Sequence, residues 1–430
     1  MTRDVMGKIA AAPASLLAGI RVLDLSRFVS GPYCTMVLGE LGAEIIKVES
    51  AVSGDGTRKW GPDRKGTKGP DNPYFMSINR SKRSIAINLG TPAASELLAS
   101  LVARSDVVIH NFRQDSARKL GVTYEDIRSI KDDIVYCEVS GYGHRGPKSE
   151  RRALDFVIQA EIGVMQVLGD VDDPPLKVTF PIIDICAANM AAIAIASALI
   201  RRDRTGQGAW LSTSLLEAGL ASMTNITSEL LVAGIEPEKL GTRHQDLAPY
   251  EVHASADGYV AIGVATEWQW RKLCALADRA DLTADPRFAT NAVRSVHRAE
   301  LDAELRPVVA TRTTAEWVKA LSEAGVPNAP VATVPEAIRD EQVTAMGIVQ
   351  EGVHSLHGPL RYVRTPLSVD GVPVAATRLA PQLGAHTKEI LHELTDLTDR
   401  DIARLGEAGV IGLDPLAAGP PIDSHASQAG

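Results

Sequence analysis

Residues 20–49 read IRVLDLSRFVSGPYCTMVLGELGAEIIKVE, and this stretch decides the fold. Residues 20–25 form a short apolar run that reads as a strand. Ser30-Gly31-Pro32 then opens a helix over 33–41, with proline near its first turn and Gly42 at its end. Residues 43–49 read as a second strand. Strand, loop, helix and strand make a βαβ unit, which predicts a parallel sheet with covering helices. The loop SRFVSGP, residues 26–32, lacks the three-glycine spacing that lets backbone approach a pyrophosphate, so NAD and FAD are discounted.

Outward from this unit, further strands are predicted at 84–89, 106–113 and 134–140. A buried Ala-rich helix is predicted over 187–202 and a long connecting helix over 215–232. Asp257-Gly258 is a hairpin signal between apolar runs, and the helix carrying Trp268 and Trp270 is expected to pack both in a core. The apolar stretch 187–200 reads as too short and too Ala-rich to span a bilayer. Both tails, 1–15 and 416–430, are biased to Ala, Gly, Pro and Ser and are expected to be flexible. No secretory signal is visible at the start.

At 430 residues with 45% hydrophobic content and 23% charge, the chain can build a large core and more than one domain. A net charge of -8 argues against a nucleic-acid partner. Cys34, Cys137, Cys186 and Cys274 lack metal-ligand spacing and read as reduced thiols, which suits a cytoplasmic location.

Residues 152–190, RALDFVIQAEIGVMQVLGDVDDPPLKVTFPIIDICAANM, crowd Asp170, Asp172 and Asp173 into a Gly/Pro-bounded turn, with Asp184 at the start of a small-residue helix. A solvated loop is one reading, since aspartate favours turns for its own backbone-bonding reasons. A catalytic carboxylate is the other.

The ordered series VLDLSRFVSGP, LGAEIIKVE, GDGTR at 54–58, YFMSINRSKRSIAINL at 74–89 and GDVDDPP at 169–175 resembles the family III CoA-transferases, also called CaiB/BaiF or formyl-CoA transferase-like. The likeness continues through ADGYVAI at 256–262, DPRF at 285–288 and LGAHT at 383–387, so it covers roughly residues 20–411. It implies an α/β fold: a large domain with a parallel sheet and covering helices from N- and C-terminal segments, plus a smaller α+β domain. The expected divisions are 16–215 and 331–412 for the large domain, 216–245 for a linker helix and 246–330 for the small domain. An interlocked homodimer is implied by kinship alone.

The resemblance makes Asp172 the nucleophile and places coenzyme A against Val29 and Ser30, Ile87, Asn88 and Leu89, Asn111, Phe112 and Arg113, Lys119 (or Arg118 in its stead), and Ser140, Gly141 and Tyr142. Relatives often carry a basic residue where this chain has Gly90, and a glycine-rich lid near 244–249 where it has none. The basic cluster Asn79-Arg80-Ser81-Lys82-Arg83 reads either as a solvated turn or as cations that attract CoA phosphates. The loop 141–143 reads as flexible over the thioester, and its backbone N–H groups are candidate oxyanion donors.

Acyl-CoA and a carboxylic acid are then the expected substrates. No resident cofactor, no metal, no nucleic acid and no membrane partner are expected. A carboxylate beside a thioester can form a mixed anhydride and then an enzyme-CoA thioester. The racemase branch of the family has a His-Asp pair where this chain has Leu154-Asp155, and leucine cannot accept a proton, so Asp155 reads as a structural cap. An isomerase and a non-catalytic acyl-CoA-binding protein remain as alternatives. His386 reads as a helix-start cap.

Overall fold

The computed structural model describes residues 15–60 and 72–413. The tails expected to be flexible, Ser15 apart, lie outside the described residues up to position 14 and from 416 on. Among the described residues, 15–162, 178–227 and 344–413 form one compact unit, and 163–177 and 228–343 form another.

The first unit is built on the strands β1 (Arg21–Asp24), β2 (Glu44–Glu49), β3 (Lys82–Ile87), β4 (Val107–His110), β5 (Val135–Ser140) and β6 (Ala209–Ser214). All six run parallel in the order β3-β2-β1-β4-β5-β6, the doubly wound arrangement, and a short strand Ile411–Gly412 adds antiparallel to the outer side of β3. The C-terminal segment therefore returns to the sheet that the N-terminal segment begins, as the family resemblance implied. Register is set by continuous apolar runs: Val22 opposes both Ile45 and Val107, and Leu23 opposes both Ile46 and Val108. On one face Leu23, Ile46, Ile85 and Val108 pack with Leu97, Leu101, Ile390, Leu391 and Ile402 of the covering helices. Full burial of each such side chain contributes about 1.5–3 kcal/mol.

Against the other face lie the helix Ser30–Glu40 and the 24-residue helix Ile182–Thr205. The second is longer than the sequence suggested, and by length and composition it could cross a membrane. Its Ala187, Ala188, Ala191 and Ala198 are buried, since small residues let the helix approach closely, whereas Met190, Ile193 and Ile200 are exposed.

The expected long helix over 215–232 is two helices, Leu215–Ser222 and Thr224–Ala233. The break falls at Met223, whose N–H bonds the Leu220 carbonyl three residues back. No helix occupies 234–245, because Gly234 takes φ +69° and Pro237 offers no N–H.

The second unit has its own core of Trp270, Trp317, Phe288, Leu301 and Leu305 under a three-stranded antiparallel sheet, Tyr250–Ala254, Tyr259–Gly263 and Asn328–Pro330. Asp257-Gly258 sits in the first hairpin turn, as predicted. Of the two tryptophans expected in the core only Trp270 is there. Trp268, two residues away on a helix and hence on a different face, is 49% exposed under the Lys272 ammonium.

Candidate active site

In an open parallel sheet the chain leaves each strand at one end, and ligands bind there, where the strand order reverses. That point lies between β1 and β4. The loop 25–30 follows β1, and 111–113 follow β4. They are tied across the crevice by Asn111, whose Oδ1 accepts the Arg27 N–H at 2.8 Å while its Nδ2 donates to the Arg27 carbonyl at 2.6 Å. The Arg27 guanidinium stands over the Phe112 ring, 5.1 Å from its centre, and the side chain makes no ion pair among the described residues. Arg27 is a cation at the crevice that sequence reading did not single out. Nothing in the pattern SRFVSGP separates it from a surface arginine.

The crevice floor is a buried charge network. At the end of β1, Asp24 accepts from Ser26, from Thr35 Oγ1 at 2.6 Å and from Lys82 Nζ at 3.1 Å. Burial pushes its carboxyl up, but Lys82, Lys47 and the two hydroxyls outweigh that and hold it at about 2. Lys82, brought down to about 8 by burial against the pull of Asp24, stays cationic at neutral pH. Lys82 Nζ donates to the Pro32 carbonyl at 2.8 Å, and Lys47 Nζ to the Ser26 carbonyl at 3.0 Å. Two ammonium groups thus pin both ends of the SRFVSGP loop. Val29 and Ser30, buried at the start of the Ser30–Glu40 helix, owe their position to this floor.

The basic cluster 79–83 is consequently neither a solvated turn nor a phosphate grip. Lys82 is fully buried on Asp24 and Asn79, Arg80 pairs with Glu40 at 2.9 Å, and Arg83 binds Glu44, Glu389 and Glu393. The acids come to the cations from β1, β2, the Ser30–Glu40 helix and the helix Thr387–Leu394. A sequence window cannot register acidic partners that lie 39 to 310 positions away.

The remaining assigned positions behave differently from one another. Ile87 is buried and its carbonyl accepts from Ala51, while Leu89 packs against the core. Asn88 Oδ1 accepts from the Gly90 N–H at 3.3 Å. Arg113 pairs with Asp115 at 2.7 Å, and its Nε is buried without a partner. Of the two cations at the next helix end, Arg118 bonds Glu150, whereas Lys119 is exposed and unpaired among the described residues.

The loop 140–143 is pinned rather than flexible. Ser140 Oγ accepts the Gly143 N–H at 2.9 Å, which withdraws that donor from an oxyanion role, and the Tyr142 hydroxyl donates to Glu161 at 2.9 Å. Only glycine fits at 141, where a Cβ would lie 2.2 Å from that of Ala153.

Beside Ser30 lies Asp184. Burial first, then Asp155, raises its carboxyl to about 7, and hydrogen bonds from Ser30 only partly oppose this. Asp155 caps, as expected, but the helix it caps is the distant one. Its Oδ2 accepts from the Ile183 N–H at 2.8 Å and the Asp184 N–H at 3.1 Å, in the first turn of Ile182–Thr205. Asp155→Ala should lower unfolding free energy by about 1–2 kcal/mol in urea titration. Asp184 makes a pH-dependent contribution. Its folded pKa is raised, so between about pH 4 and 7 the folded chain holds a proton that the unfolded chain has released, and stability falls as pH rises through that window. Asp184→Asn should flatten the melting temperature against pH over that interval; an unaltered profile would refute it.

His386 does not cap with its side chain. Nδ1 accepts the Ser84 N–H at 3.2 Å and Nε2 lies 3.3 Å from Arg378, which ties the C-terminal segment to β3.

Asp172 belongs to the second unit. Its turn is closed by its neighbours: Asp173 Oδ2 accepts the Asp170 N–H at 2.8 Å, the Asp173 N–H bonds the Asp170 carbonyl at 3.0 Å, Gly241 N–H bonds the Gly169 carbonyl at 2.9 Å, and Lys239 Nζ donates to the Asp173 carbonyl. Asp173 is exposed and at the same time holds the backbone of its own turn. Asp172 is exposed and its carboxylate has no hydrogen bond or ion pair among the described residues. The structure thus gathers the switch-point residues of the first unit, and the second unit carries Asp172 as an exposed, unpaired carboxylate on a fixed turn.

The fold is a doubly wound sheet whose switch-point crevice carries the Arg27 guanidinium and lacks a glycine-rich loop. Residues 17–387 match the family described as CoA-transferase family III, and the chain belongs to that family. It is 33% identical over 395 residues to succinyl-CoA:glutarate CoA-transferase of Mus musculus, covering 92% of this chain and 90% of the relative. It is 34% identical over 386 residues to succinate--glutarate CoA-transferase of Agrobacterium fabrum, covering 88% and 95%. A CAIB/BAIF family protein from Brucella suis superposes with a TM-score of 0.78 at 35% identity, covering 88% of this chain and 99% of that one. The chain is a transferase that uses CoA thioesters.

Proposed function

We propose that the chain transfers coenzyme A from an acyl-CoA to an acceptor carboxylic acid through covalent intermediates on Asp172. An Asp172 oxygen attacks the thioester carbon, the C–S bond breaks, and CoA leaves as thiolate, giving an aspartyl-acyl anhydride. The thiolate attacks the aspartyl carbonyl and expels the acyl group as a carboxylate, leaving Asp172 as a CoA thioester. The acceptor carboxylate attacks that thioester, and the two steps run in reverse. No electron changes hands and no ATP is consumed. The observation that carries this reading is the free carboxylate of Asp172 on a turn whose adjacent acid, Asp173, is already engaged.

Coenzyme A in this reading lies across the β1/β4 crevice against Val29, Ser30, Asn111 and Phe112, with Arg27, Arg113 and Lys119 as cations for its phosphates. Ile87, Asn88, Leu89, Ser140, Gly141 and Tyr142 complete the assignment, Ile87 through its backbone. The isomerase reading has less support, since position 154 is leucine and Asp155 is occupied by two backbone N–H groups.

Mass spectrometry of enzyme incubated with acyl-CoA should show an adduct on the peptide bearing Asp172. Deuterium uptake at the acyl α-carbon without any adduct would instead mean isomerase chemistry. The same proposal includes an interlocked homodimer, supported by the exposed apolar side chains Met190, Ile193 and Ile200 of the helix Ile182–Thr205. Light scattering should give twice the chain mass, and an active species at the mass of a single chain would remove this part.

A further inference from the structure

We infer that the acyl group this enzyme handles is bulky and apolar rather than a short dicarboxylate; the inference rests on the CoA-transfer reading and narrows its substrate. Within the first unit a cavity of about 880 Å³ runs from Val29 past Tyr33, Met36 and Tyr74 to Ile348, Leu360 and Leu379. It begins where CoA is assigned: Val29 precedes Ser30, and Pro181 and Ile185 of the wall flank the Asp184 that Ser30 bonds. Its volume lies in the upper part of the range for sites that enclose drug-sized ligands. It would hold about thirty waters at ~30 Å³ each, far more than a four-carbon diacid displaces.

The wall chemistry points the same way. Met36, Met76 and Met346 line it, three of the eight methionines in the chain, and flexible thioethers adapt to aliphatic shapes. The two arginines deepest in the wall are turned to the protein. Arg80 donates to Glu40 and to the Ser77 carbonyl and lies over the Tyr362 ring. Arg364 donates to the carbonyls of Met346, Gly347, Thr365 and Leu367. The Ser77 hydroxyl donates to the Tyr74 carbonyl, and the Tyr362 hydroxyl accepts from the Ala376 N–H. A second carboxylate entering this space would give up hydration for apolar contact, a cost of several kcal/mol that Arg80, Arg364 and Ser77, already engaged as donors, do not offset. Arg361, exposed at the wall and without an ion pair among the described residues, is the one cation that a distal carboxylate could reach.

The test is a donor panel. For full-length enzyme with one fixed acceptor, kcat/KM for octanoyl-CoA and phenylacetyl-CoA should exceed that for succinyl-CoA and glutaryl-CoA by about tenfold or more, the discrimination that a few apolar contacts supply. Met76→Trp and Leu360→Trp, each filling the cavity, should lower that ratio by about tenfold while the circular dichroism spectrum stays native. Preference for the diacyl-CoAs, abolished by Arg361→Ala, would overturn the inference, as would an unaltered ratio in both tryptophan variants. Adduct formation separates the two readings. Labelling of Asp172 by diacyl-CoAs alone sinks only the apolar substrate class, whereas no labelling by any thioester sinks CoA transfer through Asp172 itself.

Discussion

Asp172→Ala is expected to lower turnover by about 10⁴-fold or more, the scale of loss when a covalent nucleophile is removed, with no detectable covalent CoA on the protein. The fold should be unaffected. The side chain is exposed and bonds nothing among the described residues, so unfolding free energy should stay within about 0.5 kcal/mol of wild type. Asp173→Gly is the contrasting variant: it removes the acceptor for the Asp170 N–H and loosens the turn, but leaves the reacting oxygen in place. It should retain measurable adduct. Near-normal turnover by Asp172→Ala would end the assignment.

Arg58→Ala is expected to destabilise the first unit by about 3–5 kcal/mol, because it strips the counter-charge from a buried acid. Arg58 Nε and Nη2 donate to Glu49 at 2.8 and 2.7 Å, and its guanidinium lies 3.6 Å from the centre of the Phe75 ring. Burial pushes the Glu49 carboxyl up, but Arg58, Lys47 and the Ser84 hydroxyl overcome this and bring it to about 2. A folded pKa below the unfolded one stabilises above pH ~4.5 and is lost as pH falls toward 2. The wild type should therefore lose stability in acid over that window, and Asp24 adds to the same slope. The double variant Glu49→Gln, Arg58→Met should recover much of the loss, since no bare charge is left. Urea denaturation at pH 7 decides it, and a loss under 1 kcal/mol for Arg58→Ala would show the pair to be solvated. The GDGTR segment, striking in sequence only as part of a family pattern, thus has a structural task.

The sequence by itself determined the parallel sheet. Apolar runs at 20–25 and 43–49 with an intervening Gly-Pro helix start leave few other arrangements, since a crossover between parallel strands has one hand. Asp257-Gly258 set its hairpin for an equally local reason: it needs only the turn and its flanks. Asp172 could be singled out because a motif is contiguous. The roles of charges could not be read locally. Lys82 and Arg83, adjacent in sequence, end on different partners because alternate residues of a strand face opposite sides. Asp155 reaches a helix 28 residues on, and the Ser140 hydroxyl removes a backbone donor that the glycine pattern 141–143 offered. Burial and pairing are properties of what surrounds a group, and only tertiary structure brings those surroundings together; hence the parallel sheet could be foreseen, whereas the fate of each ion could not.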